Sequence, residues 1–252
     1  MTRARVVVPC YNEALRLDRE AFLAWAREPG PGSLILVDDG SSDGTWDVLQ
    51  DLSGRAGSRI SAMRLPRNRG KAEAVRQGLL AALEGPEDYV GYWDADLSTP
   101  LATLRDLQDY LDAHPRVDLL LGSRVQLLGR RIERQALRHY VGRVFATAAS
   151  ETLALPVYDT QCGAKMFRAS DGLRELLARP FLSNWSFDVE ILARFLQQHG
   201  REEALERIHE YPLPQWRDVA GSKVRPWHLL TSLWDLVRIR RCYLSGRRGR
   251  SR

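Results

Sequence analysis

Two aspartates one residue apart, Asp94 and Asp96, follow the apolar run Val90 to Trp93 and precede Pro100. The run is β-prone and proline opens helices, so the pair is predicted on a strand-to-helix turn. In open α/β sheets, ligands bind beyond such carboxyl ends. Two hard oxygen donors on a short turn suit Mg2+ or Mn2+. These ions take one or two protein carboxylates and fill their remaining positions with water and substrate phosphates. A metal held this way neutralises a diphosphate. Turns and helix N-caps favour aspartate on their own account, so the flanking sequence has to decide between the two readings.

The elements that would position this pair repeat along the first half of the chain. Arg5 to Pro9 reads as a buried strand, followed by the polar loop Cys10-Tyr11-Asn12-Glu13. Asp18 is predicted to cap a helix reaching about Glu28, with Phe22, Leu23 and Trp25 apolar. Leu34 to Val37 is a second buried strand, ending in the acidic loop Asp38 to Thr45, and a helix is expected over Thr45 to Leu52. A third strand, Ile60 to Leu65, leads through Arg67-Asn68-Arg69-Gly70-Lys71 into a helix with Ala74, Val75, Leu79 and Leu83 at helical spacing. Successive βα units with short loops imply a parallel sheet covered by helices on both faces. No Gly-x-Gly-x-x-Gly follows the first strand and no Gly-x-x-x-x-Gly-Lys-Ser/Thr occurs, which argues against dinucleotide-fold and P-loop chemistry.

The 252 residues, 44% hydrophobic, are enough for one large domain with a full core, which excludes bulk disorder. Cys10, Cys162 and Cys242 lie far apart, fitting a reducing compartment with neither disulfides nor zinc. Val6-Val7-Val8 is too short for the apolar region of a signal peptide, and no apolar run approaches the roughly 18 to 20 residues that span a bilayer. A soluble or peripheral protein is expected. The net charge of +5 is concentrated: seven arginines and no acid from Arg238 to Arg252, and six arginines against Glu133 alone from Arg124 to Arg143. Such surfaces attract phosphate-rich partners. The stretches 130–155 and 227–241 mix arginine with Leu, Val, Phe and Trp, as interfacial amphipathic helices do, although a core-packed helix with a basic outer face has the same pattern. No aromatic-basic interleaving of a nucleic-acid module is present, so nucleic acid is not an expected partner.

Pro9-Cys10-Tyr11-Asn12-Glu13, Asp38-Asp39-Gly40-Ser41, Asn68-Arg69-Gly70-Lys71 and Asp94-Ala95-Asp96 together resemble the ordered motifs of family 2 inverting glycosyltransferases with the GT-A fold. Gly122-Ser123-Arg124, Asp159 to Phe167, Phe187-Asp188-Val189-Glu190 and Gly221-Ser222-Lys223 narrow the resemblance to polyprenyl-phosphate sugar transferases, most like the dolichyl-phosphate β-glucosyltransferase type. The chain departs from that pattern at Ala164, where the family often has an aromatic residue. The resemblance implies an α/β GT-A fold over residues 1–236, with a nucleotide-sugar half (1–123), an acceptor half (124–236), C-terminal amphipathic helices and a basic tail (237–252). It also implies metal-dependent, inverting transfer of a hexose, glucose favoured, from a UDP-sugar to a polyprenyl phosphate at the cytoplasmic face of a membrane with an anionic surface. A soluble hydroxyl acceptor, a GDP-mannose donor and a non-enzymatic sugar-nucleotide sensor are the alternatives.

Carried over residue by residue, the resemblance gives Pro9, Tyr11 and Glu13 to base and ribose, and Asp39 to the uracil N–H. Lys71 falls to the donor at a helix N-terminus, where anions are favoured. Asp96 becomes the direct metal ligand, with Asp94 and Ala95 completing the turn. Arg124 and Arg138 are assigned to the acceptor phosphate, and Arg217 and Lys223 to a late loop over the diphosphate, with Gly221 as hinge. Asp188, ahead of Asp159, is expected to orient the acceptor or act as base; Glu190 is read as structural.

Overall fold

The computed structural model describes residues 2–133, 136–219 and 227–245; the side chains of 136–141 and 227–230 lie outside the description. Strand β1 (Ala4–Cys10) pairs in parallel with β2 (Gly32–Asp38) on one side and β4 (Tyr89–Trp93) on the other, and β2 pairs with β3 (Ile60–Arg64). Side chains alternate across each strand. Val6, Val8, Leu34 and Leu36 therefore pack on one face, while Val7, Ile35 and Val37 pack on the other. Helices α1 (Arg19–Arg27), α2 (Thr45–Ala56) and α4 (Thr103–Ala113) present residues such as Phe22, Leu49 and Leu107 to the first face. Helices α3 (Lys71–Ala82), α5 (Ala136–Leu153), α6 (Asp171–Leu177) and α7 (Phe187–His199) cover the second.

The expected elements stand within a few residues of their predicted ends. Asp18 caps α1 by accepting from Ala21 N at 3.0 Å. Pro100 does not open α4: the helix starts at Thr103, whose N–H bonds the Pro100 carbonyl, and the intervening residues form a turn. Strand β5 (Leu119–Ser123) and strand β7 (Ala164–Arg168) complete the middle of a seven-stranded sheet with β8 (Ile208–Pro212) at its edge, in the order β3-β2-β1-β4-β7-β5-β8. β7 runs antiparallel to both β4 and β5, so the sheet is mostly, not wholly, parallel. A small separate sheet joins β6 (Arg131–Glu133) to β9 (Gln215–Arg217).

Two expected boundaries do not divide the structure. Residue 124 does not separate two halves, because β7 of the second half is threaded between β4 and β5 of the first. Residue 237 does not begin a tail. Helix α9 (Trp227–Ile239) continues into a π-helical turn, Arg240–Leu244, with Leu236 and Ile239 buried and Tyr243 Oη donating to Glu190 Oε1 at 2.8 Å. Both amphipathic stretches carry a core-packed face. On α5 it holds Phe145, Ala149 and Leu153, with Val144 exposed behind it. No helix among the described residues is long and apolar enough to cross a membrane.

Candidate active site at the carboxyl edge of the sheet

The loops leaving β1 and β2 are laced together. Asn12, at a left-handed φ of 51°, accepts from Ser42 N at 3.0 Å, and its own N–H meets Ser41 Oγ at 3.0 Å. Glu13 N donates to Thr45 Oγ1 at 2.8 Å. Asp39 N bonds the Cys10 carbonyl, which turns the backbone of Cys10 towards β2 and that of Pro9 towards β4. Pairing with β4 has ended at Val7, so the missing N–H of Pro9 leaves no gap in the ladder. Exposed Tyr11 and half-buried Glu13 follow at the rim. A cavity of about 440 Å3 opens beside Gly40, Ser41, Arg64, Leu65 and Pro66.

Asp38 and Asp39 are buried, and neither caps α2. Asp38 accepts from Ser41 N at 2.9 Å, and Arg64 Nε lies 3.0 Å from its other oxygen. Asp39 accepts from Arg69 N at 2.9 Å and Gly70 N at 2.8 Å. Burial raises the pKa of Asp39, with those two N–H groups working the other way. The carboxylate expected to meet a nucleobase is thus also the clamp that fixes the start of α3.

That clamp places Lys71. Its Nζ lies 2.5 Å from Asp94 Oδ1. Burial works against the Lys71 ammonium, but Asp94, Asp188 and Asp96 outweigh it and its pKa stands above the usual value. Burial likewise opposes the charge on Asp94, and Lys71, Lys165 and Arg124 hold its pKa below the ordinary carboxylate range. Asp96 accepts from Ser98 N at 3.0 Å, and Leu97 between them takes a φ of 51°. Asp94, Ala95 and Asp96 are all half-exposed.

The donor set of this turn fits Mg2+ or Mn2+. Among the described residues no three His, Cys, Asp or Glu side chains converge on one point, and the turn itself carries the two carboxylates Asp94 and Asp96. An ion held there would draw its remaining ligands from water and phosphate oxygens. The cationic Lys71 nitrogen against Asp94 marks the same turn as a place where positive charge is favoured.

Arg124, following β5, is locked to Asp159 by three hydrogen bonds, from Nε at 2.7 Å, a terminal nitrogen at 2.8 Å and the backbone N–H at 3.1 Å, and lies 5.3 Å over the Trp216 ring. Asp159 N and Tyr158 N in turn donate to the Glu210 carboxylate at 2.8 and 2.7 Å. Asp159 therefore orients Arg124, and a carboxylate held by a guanidinium is a poor base. Asp188 occupies the first turn of α7, where Lys165 Nζ lies 2.9 Å from its Oδ1 and Tyr92 Oη donates to the same atom. Burial pushes the Asp188 carboxyl up to about 8, against the pull of Lys71. Burial also brings the Lys165 ammonium down to about 8. Glu190 is structural: it is fully buried and holds Leu182 N, Arg194 and Tyr243.

The remaining expected residues are more scattered. Arg217 is exposed at the end of β9, and its N–H bonds the Ser98 carbonyl, two residues past Asp96. Arg138 lies in α5 with its side chain outside the described residues; Gly221 and Lys223 lie outside them entirely. The sequence reading missed Tyr92, Lys165 and Glu210. Tyr92 and Lys165 face each other across β4 and β7, a pairing that only the reversed strand creates. Lysine in an apolar strand was the one available signal.

The family model described as "Glycosyl transferase family 2" matches residues 5–172. Dolichyl-phosphate beta-glucosyltransferase of Homo sapiens is 32% identical over 262 residues, covering 96% of this chain and 76% of the relative. Undecaprenyl-phosphate 4-deoxy-4-formamido-L-arabinose transferase of Pseudomonas syringae is 27% identical, over 92% of this chain and 64% of its own. Among solved structures, glucosyl-3-phosphoglycerate synthase of Mycobacterium tuberculosis in complex with uridine diphosphate superposes with a TM-score of 0.64 at 21% identity, covering 97% of this chain and 82% of that one. The last likeness is one of fold, the GT-A arrangement.

Proposed function

The chain belongs to glycosyl transferase family 2, and on that premise we propose that it moves a hexose, glucose first, from a UDP-sugar to a polyprenyl phosphate with inversion. One observation carries the proposal: two cationic sites stand at one sheet edge, Lys71 on the acidic turn and Arg124 one strand beyond β7. Two phosphate-bearing substrates need two such sites. The relatives named above carry dolichyl phosphate and undecaprenyl phosphate in their names, and polyprenyl phosphate is their shared chemistry.

In this reading Pro9, Tyr11, Glu13 and Asp39 border the nucleoside, and Lys71 with the N-terminus of α3 favours the diphosphate. Asp94 and Asp96 would hold a Mg2+ or Mn2+, which would supply Lewis-acid neutralisation of the diphosphate leaving group. Arg124 and Arg138 receive the acceptor phosphate, and Arg217 and Lys223 close over the donor. A phosphate monoester is already an anionic nucleophile, so positioned positive charge matters more than a base. Asp188 then tunes the charge around Lys71 from beneath.

One face of α9 supports peripheral binding to an anionic membrane, on the cytoplasmic side. Trp234, 60% exposed, and Val237, 40% exposed, share helical spacing with exposed Arg238 and with exposed Arg241 of the π-helical turn that follows. A second reading, transfer to a soluble hydroxyl, is favoured by the Asp188 carboxyl near 8, a value suited to a general base. The deciding experiment is transfer of radiolabel from UDP- and GDP-sugars into organic-extractable lipid, with undecaprenyl or dolichyl phosphate, with and without Mg2+ or Mn2+. Metal-dependent label in the lipid phase is the expected outcome. Nucleotide release with no lipid label would favour the soluble acceptor.

A further inference from the structure

Strand β7 runs antiparallel to β4, with Tyr92 opposite Lys165 and Trp93 opposite Ala164. One step further the ladder sets Asp94 opposite Gly163, and Asp94 N donates to Gly163 O at 2.9 Å. Side chains directly opposite in an antiparallel pair stand on the same face, with Cβ atoms about 5 Å apart. Here one partner has no side chain, and the Asp94 carboxylate takes the place it would fill. A Cβ on Gly163 would stand under 3.0 Å from Asp94 Oδ1, Oδ2 and Cγ alike, closer than real Cβ atoms come.

Backbone conformation does not account for this glycine. Gly163 is not among the glycines at positive φ, so another residue could adopt its backbone. The contact also differs from those at the two strand glycines that face β7. A Cβ on Gly91 would run into the Lys165 carbonyl oxygen, and one on Gly122 would lie 2.8 Å from that of Ala164. Those are backbone atoms of a paired strand and have nowhere to go. At Gly163 the three nearest atoms all belong to one half-exposed side chain, which can swing away. The orientation it now holds is the one that meets Lys71 Nζ at 2.5 Å.

We infer that Gly163 is a positioning residue for the acidic turn: its missing side chain lets the Asp94 carboxylate lie over the start of β7, where it meets Lys71 and is aimed to share a divalent cation with Asp96. The inference deepens the metal-dependent reading above and rests on it. It makes the turn a two-strand device. β4 delivers the carboxylates, and the reversed β7 sets the direction of one of them.

The test uses the full chain as wild type, Gly163→Ala, Asp94→Ala and the double variant. Mn2+ affinity is read from the electron paramagnetic resonance signal of free Mn2+, with and without UDP and against UDP alone. Turnover and melting temperature are measured beside it. Gly163→Ala is expected to melt close to wild type, because only the end of a side chain has to move. It should bind Mn2+ about 10-fold more weakly, as when the support of a metal ligand is lost. Its kcat should fall about 100-fold, the scale of a misplacement of about an ångström. On the Asp94→Ala background no carboxylate is left to displace, so adding Gly163→Ala should weaken Mn2+ binding no further. The inference alone is overturned by a Gly163→Ala protein that binds Mn2+ and turns over like wild type, or that fails to fold, or whose loss of Mn2+ affinity persists without Asp94. A wild-type protein that binds no Mn2+ and turns over without divalent cation overturns the metal reading itself.

Discussion

At the scale of single residues, the site is a set of charges that each answer another. Lys71 sits on Asp94, Arg124 on Asp159, and Lys165 on Asp188. Asp96 is the exception, since its one protein partner among the described residues is the Ser98 N–H. It is therefore the carboxylate with most capacity left for a metal. Asp96→Ala is expected to lower turnover at least 100-fold, the scale of losing one electrostatic element of a transition state. Its melting temperature should stay close to wild type, because the residue is half-exposed and no charge partner is stranded. Steady-state turnover and thermal unfolding, measured together, check this. Near-normal turnover would sink the metal assignment.

At the scale of elements, helix α3 is the part whose placement matters most, because Lys71 is its first residue. Asp39 fixes its start, and a buried pair fixes its flank. Glu73 accepts from Arg76 Nε and a terminal nitrogen at 2.8 Å each, and Arg76 donates on to the Leu177 carbonyl of α6 at 2.9 Å. Removing one partner of such a pair strands the other charge. Glu73→Ala is expected to cost about 3 kcal/mol in urea unfolding, and Glu73→Gln less. The hydrogen bonds from Arg76 are the largest influence on Glu73 and hold its pKa below the model-peptide value of 4.5. A depressed carboxylate contributes stability above its unfolded pKa and loses it as pH falls through the folded one. Wild type should therefore lose this increment below about pH 4.5. Glu73→Gln should lack that part of the acid sensitivity.

At the scale of the whole molecule, one sheet edge collects the chemistry, and the exposed face of α9 offers an apolar and basic surface besides. If that face meets lipid, Trp234→Ala should weaken binding to vesicles containing anionic lipid about 10-fold, and added salt should weaken the wild type. Turnover with a short, water-soluble polyprenyl phosphate should not change. Vesicle co-sedimentation alongside a solution assay separates the two. A variant that pellets like wild type would remove α9 as the docking element.

The sequence by itself determined the alternation of strands and helices, the cap at Asp18, the placing of Asp94 and Asp96 on a turn beyond β4, and the family. Those features rest on local periodicity, turn chemistry and motif order, all of which are written over a few adjacent residues. The direction of β7 was decided only by tertiary structure. A strand's apolar pattern reads the same whichever way it runs, and β7 joins residues far apart in the chain. From that reversal follow the Tyr92–Lys165 pairing and the pressure of Gly163 on Asp94. The binding of Arg124 by Asp159, 35 residues away, likewise needed the fold to bring a guanidinium and a carboxylate together.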